Sequence, residues 1–188
     1  MAEKERVQVE SREAWREWLE KNYNREKGVW LVTFKKHTGD KYVSYEETVE
    51  EAVCFGWIDS TARRVDEDRT MMWMSPRKAG SGWSRSNKER VERLTAADLM
   101  MPPGLEKIEA AKADGSWNAL DAIENLEVPP DLAEAFGKYE SAEQNFEAFT
   151  RSAKRAILVW IANAKRPKTR AKRVAETARL AEENIPAK

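Results

Sequence analysis

The chain has 188 residues, 41% hydrophobic and 35% charged, with a mean hydropathy of −0.77. That is long enough to bury a core without staples and too polar for helical membrane spans. Its 33 Lys and Arg balance 33 Asp and Glu, so no net field draws it to nucleic acid or an anionic membrane. A single cysteine excludes an internal disulfide, no run approaches the roughly 20 apolar residues of a membrane span, and no apolar segment follows the charged N-terminus, so the expected location is the cytoplasm.

The alternation Val7-Gln8-Val9 predicts a short strand. Ser11 then caps a helix with Trp15, Trp18 and Leu19 on one face. Residues 29–34, rich in β-branched and aromatic types on both faces, predict a central strand. After a turn at Thr38-Gly39-Asp40, Lys41-Tyr42-Val43 can pair back. Ser44 with Glu47 forms a capping box ahead of a helix that Gly56 stops. Residues 57–64 and 70–75 predict two strands about a polar turn.

From there the pattern is helical. Ser86 with Glu89, and Ser141 with Gln144, predict further capping boxes, and Ser152 a helix start. Pro102-Pro103-Gly104 breaks the chain before a helix carrying Leu105, Ile108 and Ala111, which Gly115 ends. Residues 116–130 read as an irregular connection, followed by a short helix with Leu132, Ala135 and Phe136. Ala153, Ala156, Ile157, Trp160, Ile161 and Ala164 form one stripe, Pro167 ends that helix, and Val174, Ala178 and Ala181 mark the last. The expected fold is α+β. A small mixed or antiparallel sheet with helices occupies residues 1–85, and an all-helical part, 86–188, packs on it as one compact unit.

Charge is uneven in the second half. Residues 127–147 hold six acids and one lysine, and residues 151–173 hold nine Lys or Arg and no acid. Such a block is a solvated face, packs beside the acids, or surrounds an anion.

Residues 55–60 and 75–84 combine aromatics, a carboxylate, small residues and cations. Gly80 and Gly82 allow backbone N–H groups to converge, and Arg77, Lys78 and Arg85 add positive charge near a helix start, the recipe for an anion site. An ordinary ordered loop is the plainer reading. Asp59 is either a structural ion-pair partner of Arg77 or Arg170, or a ligand anchor or general base walled by Trp57 and Trp83. Arg170 and Arg173 share a helix face and can grip a carboxylate or phosphate. The candidate ligand-binding set is Trp57, Asp59, Arg77, Lys78, Ser81, Trp83, Ser84, Asn87, Arg170 and Arg173. His37 reads as a turn residue and Cys54 as a core residue; no metal, cofactor or nucleophile–base motif is expected.

The order of motifs resembles the YdeI/OmpD-associated, or bacteriocin-protection, family. The resemblance runs through Trp15-Arg16-Glu17-Trp18-Leu19, Gly28-Val29-Trp30-Leu31-Val32, Ser44-Tyr45-Glu46-Glu47 and Phe55-Gly56-Trp57-Ile58-Asp59-Ser60. It continues through Ser75-Pro76-Arg77-Lys78, Ser81-Gly82-Trp83-Ser84, Asn87, Pro102-Pro103-Gly104-Leu105, residues 111–117, residues 128–132, Ala164-Lys165-Arg166 and residues 169–173. Two positions depart from it: Met71-Met72-Trp73-Met74 is unusually apolar, and Asp98 stands where a glycine is expected. The resemblance implies a role in tolerance of bacteriocins and other stress, and no reaction. The leading expectation is a protein that binds an anionic small molecule or peptide in a Trp/Arg-lined pocket. The alternatives are an enzyme with Asp59 as base and a nucleic-acid-associated protein using residues 151–173; zero net charge weighs against the last.

Overall fold

The computed structural model describes residues 5–188, which divide into two compact units on either side of the Ala119–Leu120 boundary. Among the described residues the strands all lie in the first unit and the second is helical, an α+β arrangement.

In the first unit, β1 (Arg6–Gln8), α1 (Arg12–Asn22) and β2 (Val29–Phe34) form a parallel crossover. After a 3-10 segment (Lys36–Lys41) come α2 (Tyr45–Cys54), β3 (Trp57–Arg64), β4 (Arg69–Pro76), α3 (Arg85–Ala96) and α4 (Pro102–Asp114). The sheet order is β1-β2-β4-β3, with β4 antiparallel to both neighbours. β2 is therefore central, as its apolar residues on both faces predict. The expected return pairing at Tyr42 is a single bridge to Phe34.

The first core joins Val29, Leu31, Trp57 and Met74 of the sheet to Trp15 and Leu19 of α1, Val49, Ala52 and Val53 of α2, Val91 and Leu94 of α3, and Ile108 and Ala111 of α4. Two of the indoles buried here have satisfied N–H groups: Trp15 donates to the Thr48 carbonyl at 3.0 Å and Trp57 to the Tyr23 carbonyl at 3.1 Å. Cys54 is buried in the same core, and burial pushes its thiol up to about 11. Gly104 lies against the Cys54 carbonyl so closely that any Cβ would overlap it. This glycine lets α4 approach α2, and Pro102 and Pro103 occupy the first turn of α4 rather than breaking the chain ahead of it.

The second unit contains α5 (Asp121–Glu124), α6 (Pro130–Phe136), α7 (Ala142–Ala148), α8 (Arg151–Ala162) and α9 (Pro167–Glu182). Its own core comprises Leu132, Phe136, Phe146, Ile157, Leu158, Ile161, Val174, Ala178 and Ala181. Leu158 was outside the predicted stripe, whereas Ala156 within it is exposed. Pro167 opens α9; α8 has already ended at Ala162.

Three predicted caps need correction. α3 is capped by Ser84, whose Oγ accepts the Asn87 N–H at 3.4 Å, and α8 by Thr150, whose Oγ accepts the Ala153 N–H at 3.2 Å. Ser86 and Ser152 lie inside those helices. In both Ser-Arg-Ser and Thr-Arg-Ser the first hydroxyl residue has the extended backbone a cap requires, with ψ of 157° and 151°. Ser141 has ψ of −5° and makes no side-chain cap; its N–H donates to Glu182 at 2.7 Å.

Candidate functional site

The end of β4 delivers Arg77 into the first unit. Its backbone N–H donates to the Gly56 carbonyl at 2.9 Å, and Gly56 holds a φ of +73° that ends α2 and turns the chain into β3. The side chain is only 3% exposed. Nη1 donates to the Gly82 carbonyl at 3.2 Å, and the guanidinium carbon lies 3.7 Å from the centroid of the Trp83 ring, a cation–π stack. Nε and Nη2 are buried and have no hydrogen-bond partner. Burial pushes the guanidinium down to about 10, while the charge of Asp59 pulls it back up.

Residues 78–81 make a turn in which Ser81 Oγ donates to the Lys78 carbonyl at 2.7 Å, with Gly80 at a φ of +72°. The Gly80 N–H donates to Asp114 Oδ2 at 3.1 Å, which staples this turn to the end of α4. Asp114 Oδ1 accepts the Ser116 N–H at 2.8 Å. Trp83 packs on Trp117 with ring centroids 5.0 Å apart, and its buried indole N–H also has no partner. Ser116 Oγ, likewise buried, is close enough to the Asp114 carboxylate to depress its pKa but does not meet hydrogen-bond geometry. Arg77, Lys78, Ala79, Gly80, Ser81 and Trp83 line one cavity of about 50 Å³ together with Lys107, Ala110, Ala111, Asp114 and Ser116.

Of the ten expected ligand-binding residues, this cavity gathers Arg77, Lys78, Ser81 and Trp83. Trp57 is in the core, its indole N–H taken by Tyr23. Asp59 lies on the edge strand β3, beside a register shift, and accepts the Tyr45 hydroxyl at 3.0 Å. Ser84 caps α3, and Asn87 accepts from Arg90 Nη1 at 2.9 Å. Arg170 and Arg173 belong to the second unit. Arg170 grips Asp131 with Nε at 2.7 Å and Nη2 at 2.9 Å; Arg173 donates to the Trp160 carbonyl and stacks on its ring. Lys107, Asp114 and Ser116 were missed as site residues. The signal was present in Asp114-Gly115-Ser116, where an αL glycine (φ 78°) ends α4 and an acid precedes a free hydroxyl.

The basic block of the second unit is partly neutralised by acids of that unit. Arg155 pairs with Glu124 at 2.8 Å, Lys154 with Glu147 at 3.1 Å and Arg170 with Asp131 at 2.7 Å. A cleft of about 360 Å³ between α6 and α9 has Ala135, Ala171, Val174 and Ala178 among its lining and Asp131 and Arg170 beside them. Among the described residues no group of three or more His, Cys, Asp or Glu is placed to hold a metal ion, and no helix is long and apolar enough to cross a membrane.

A family model described as a domain of unknown function (DUF8412) matches residues 7–107, and one described as bacteriocin-protection, YdeI or OmpD-associated matches residues 125–184. No curated protein and no solved structure matches the chain. The second match falls within the helical unit; the first spans more than half of the 188 residues, so the protein belongs to that family of unknown function.

Proposed function

We propose that the protein is a cytoplasmic binding protein that takes an anionic small molecule or peptide at the Arg77–Trp83 cavity, in the service of tolerance to bacteriocins or related stress. The observation that carries this reading is the Nε/Nη2 edge of Arg77, buried with no acceptor beside a buried, unpartnered Trp83 N–H. An unpaired charge inside a protein is costly, and an anion in the cavity relieves that cost while the empty site pays it. The stack on Trp83 and the bond to Gly82 hold the guanidinium in place, so little side-chain freedom is lost on binding. The bacteriocin-protection element rests on the family description of the helical unit alone.

Two other readings are less well supported. Asp59 as a general base has one oxygen already engaged by Tyr45, and three cations of the 151–173 segment are occupied by acids of their own unit. The test is thermal unfolding of the parent and of Arg77→Met against a panel of anions at constant ionic strength. Anions raise the melting temperature of the parent, because a ligand that binds only the folded state stabilises it, and leave Arg77→Met unmoved. Equal shifts in both proteins, or none in the parent, sink the reading.

A further inference from the structure

We infer that the first unit holds a second ligand site, a cleft at one end of its sheet that takes a small, non-cationic aromatic molecule of about two fused rings. No residue lines both this cleft and the Arg77 cavity. The fold itself makes the cleft. Tyr45 opens α2 and its hydroxyl donates to Asp59 Oδ2 at 3.0 Å, so the helix start stands beside residue 59 of β3. From there β3 runs on to Arg64, with Ala62 paired to Met72 and Arg64 to Thr70 of β4. That stretch of sheet extends past the start of α2. Between it, Tyr42, Tyr45 and the start of the 3-10 segment lies a cleft of about 300 Å³.

Phe34, Tyr42 and Tyr45 line it together with the Met72 thioether and the Ala62 methyl. Tyr42 and Tyr45 are 40% and 53% exposed, so ring surface is left to water beside an apolar lining. Another ring gains on such surfaces by offset or edge stacking and by sulfur–ring contact. The Tyr45 wall is fixed by Asp59 and by Arg90, whose guanidinium carbon lies 5.8 Å from the ring centroid, so little freedom is lost on binding. The volume is about twice the roughly 150 Å³ of an apolar cavity that holds benzene. Alternation along β2 puts Thr33 on the face that carries the core residues Val29 and Leu31. Thr33 lines the cleft at 8% exposure, and its hydroxyl has no hydrogen-bond partner among the described residues. A ring N–H or O–H supplies that partner. The charged residues of the lining are Lys35 and Lys36, which repel a cation; an aromatic cage for an ammonium needs the opposite sign. Lys35 Nζ is already bonded to the Asp66 and Glu67 carbonyls at 2.8 Å each.

The full-length protein, with carbon-13 in its methionine methyl groups, is titrated with indole, cyclooctanol and tryptamine and followed by NMR. Indole is the ring probe, cyclooctanol a saturated molecule of similar size, and tryptamine an indole with an ammonium. Indole shifts the Met72 methyl resonance saturably and leaves that of Met74, fully buried in the core, in place. Cyclooctanol and tryptamine each bind roughly threefold to tenfold more weakly. Thr33→Val, which keeps the shape and loses the hydroxyl, weakens indole by roughly threefold to tenfold. Ala62→Phe, at an exposed position of the edge strand where a larger residue does not disturb the core, fills the cleft and abolishes the Met72 shift. Cyclooctanol or tryptamine binding as tightly as indole, undiminished binding in Thr33→Val or Ala62→Phe, or a Met72 resonance that no probe moves overturns the assignment. None of these outcomes bears on the anion site at Arg77, whose test uses other probes and another variant.

Discussion

Arg77 in the first unit and Arg170 in the second carry the same planar fork and end in opposite states. Arg170 opens α9 within reach of Asp131 in the first turn of α6, and both side chains remain partly in water. Their mutual hydrogen bonds hold the Asp131 carboxyl below the usual carboxylate range and the Arg170 guanidinium above its ordinary value. Arg77 is pushed the other way, down to about 10, chiefly by burial. In the helical unit a guanidinium meets its acid within the unit. In the sheet unit one guanidinium is sealed from water with two of its three nitrogens unpartnered. Charge pairing of the first kind is maintenance of a fold, whereas the second kind is what the proposed anion site would account for.

Mutations can break or sharpen this contrast. The largest effect is expected at Gly104. A Cβ there collides with the Cys54 carbonyl, so Gly104→Ala destabilises the sheet unit by about 2–3 kcal/mol in denaturant unfolding and, by moving α4, weakens anion binding. Arg170→Met loses an exposed bidentate pair and costs about 0.5–1 kcal/mol after allowance for screening by water, without altering the anion response. Arg77→Met does the reverse: the ligand-free melting temperature is not lowered, since an apolar group replaces an unpaired buried charge, and the anion response disappears. A fall in melting temperature comparable to that of Arg170→Met, with the response intact, would make Arg77 merely structural.

The proton sharpens the same comparison. The folded-state pKa of Arg77 is depressed to about 10, so the charge weighs against folding in full below that pH and progressively less above it. The stability advantage of Arg77→Met is therefore constant through neutral pH and shrinks as pH rises past about 10, where the proposed anion response of the parent also fades. Paired melts across alkaline pH check both. The smallest effect is at Asp98, which adopts a left-handed φ of 54° after α3 while the Leu99 N–H closes on the Leu94 carbonyl at 2.9 Å. Asp98→Gly removes that strain and stabilises the protein by about 0.5 kcal/mol or less in the same denaturant assay.

Local chemistry was legible wherever one residue decided the outcome. Ser44 and Glu47 form the predicted box, with Oγ accepting at 3.2 Å and the carboxylate returning at 2.8 Å, and Asp98, where a glycine was expected, has a left-handed backbone. Where two residues compete, spacing alone misleads: Ser84 and Thr150 each take the cap from a serine two positions later. The turn at 77–83 could be singled out from its glycines and cations. What could not be read was which arginine is paired. The partners of Arg170 and Arg90 lie 39 and 44 residues away, and the unpartnered edge of Arg77 exists only because folding leaves no acceptor within hydrogen-bond reach of it. The contribution of α4 through Lys107 and Asp114 follows from the close approach at Gly104, a tertiary fact that a Pro-Pro-Gly motif does not announce.

Cys54 carries a practical corollary. The chain's sole thiol is shut inside the first core, where protonation holds it inert at physiological pH, so maleimide and iodoacetamide reagents will pass it by in the folded protein. A single engineered cysteine at Ala79, exposed in the turn beside Arg77, would then be the one labelling handle, placed to report ligand entry by a dye's emission without first deleting the native sulfur.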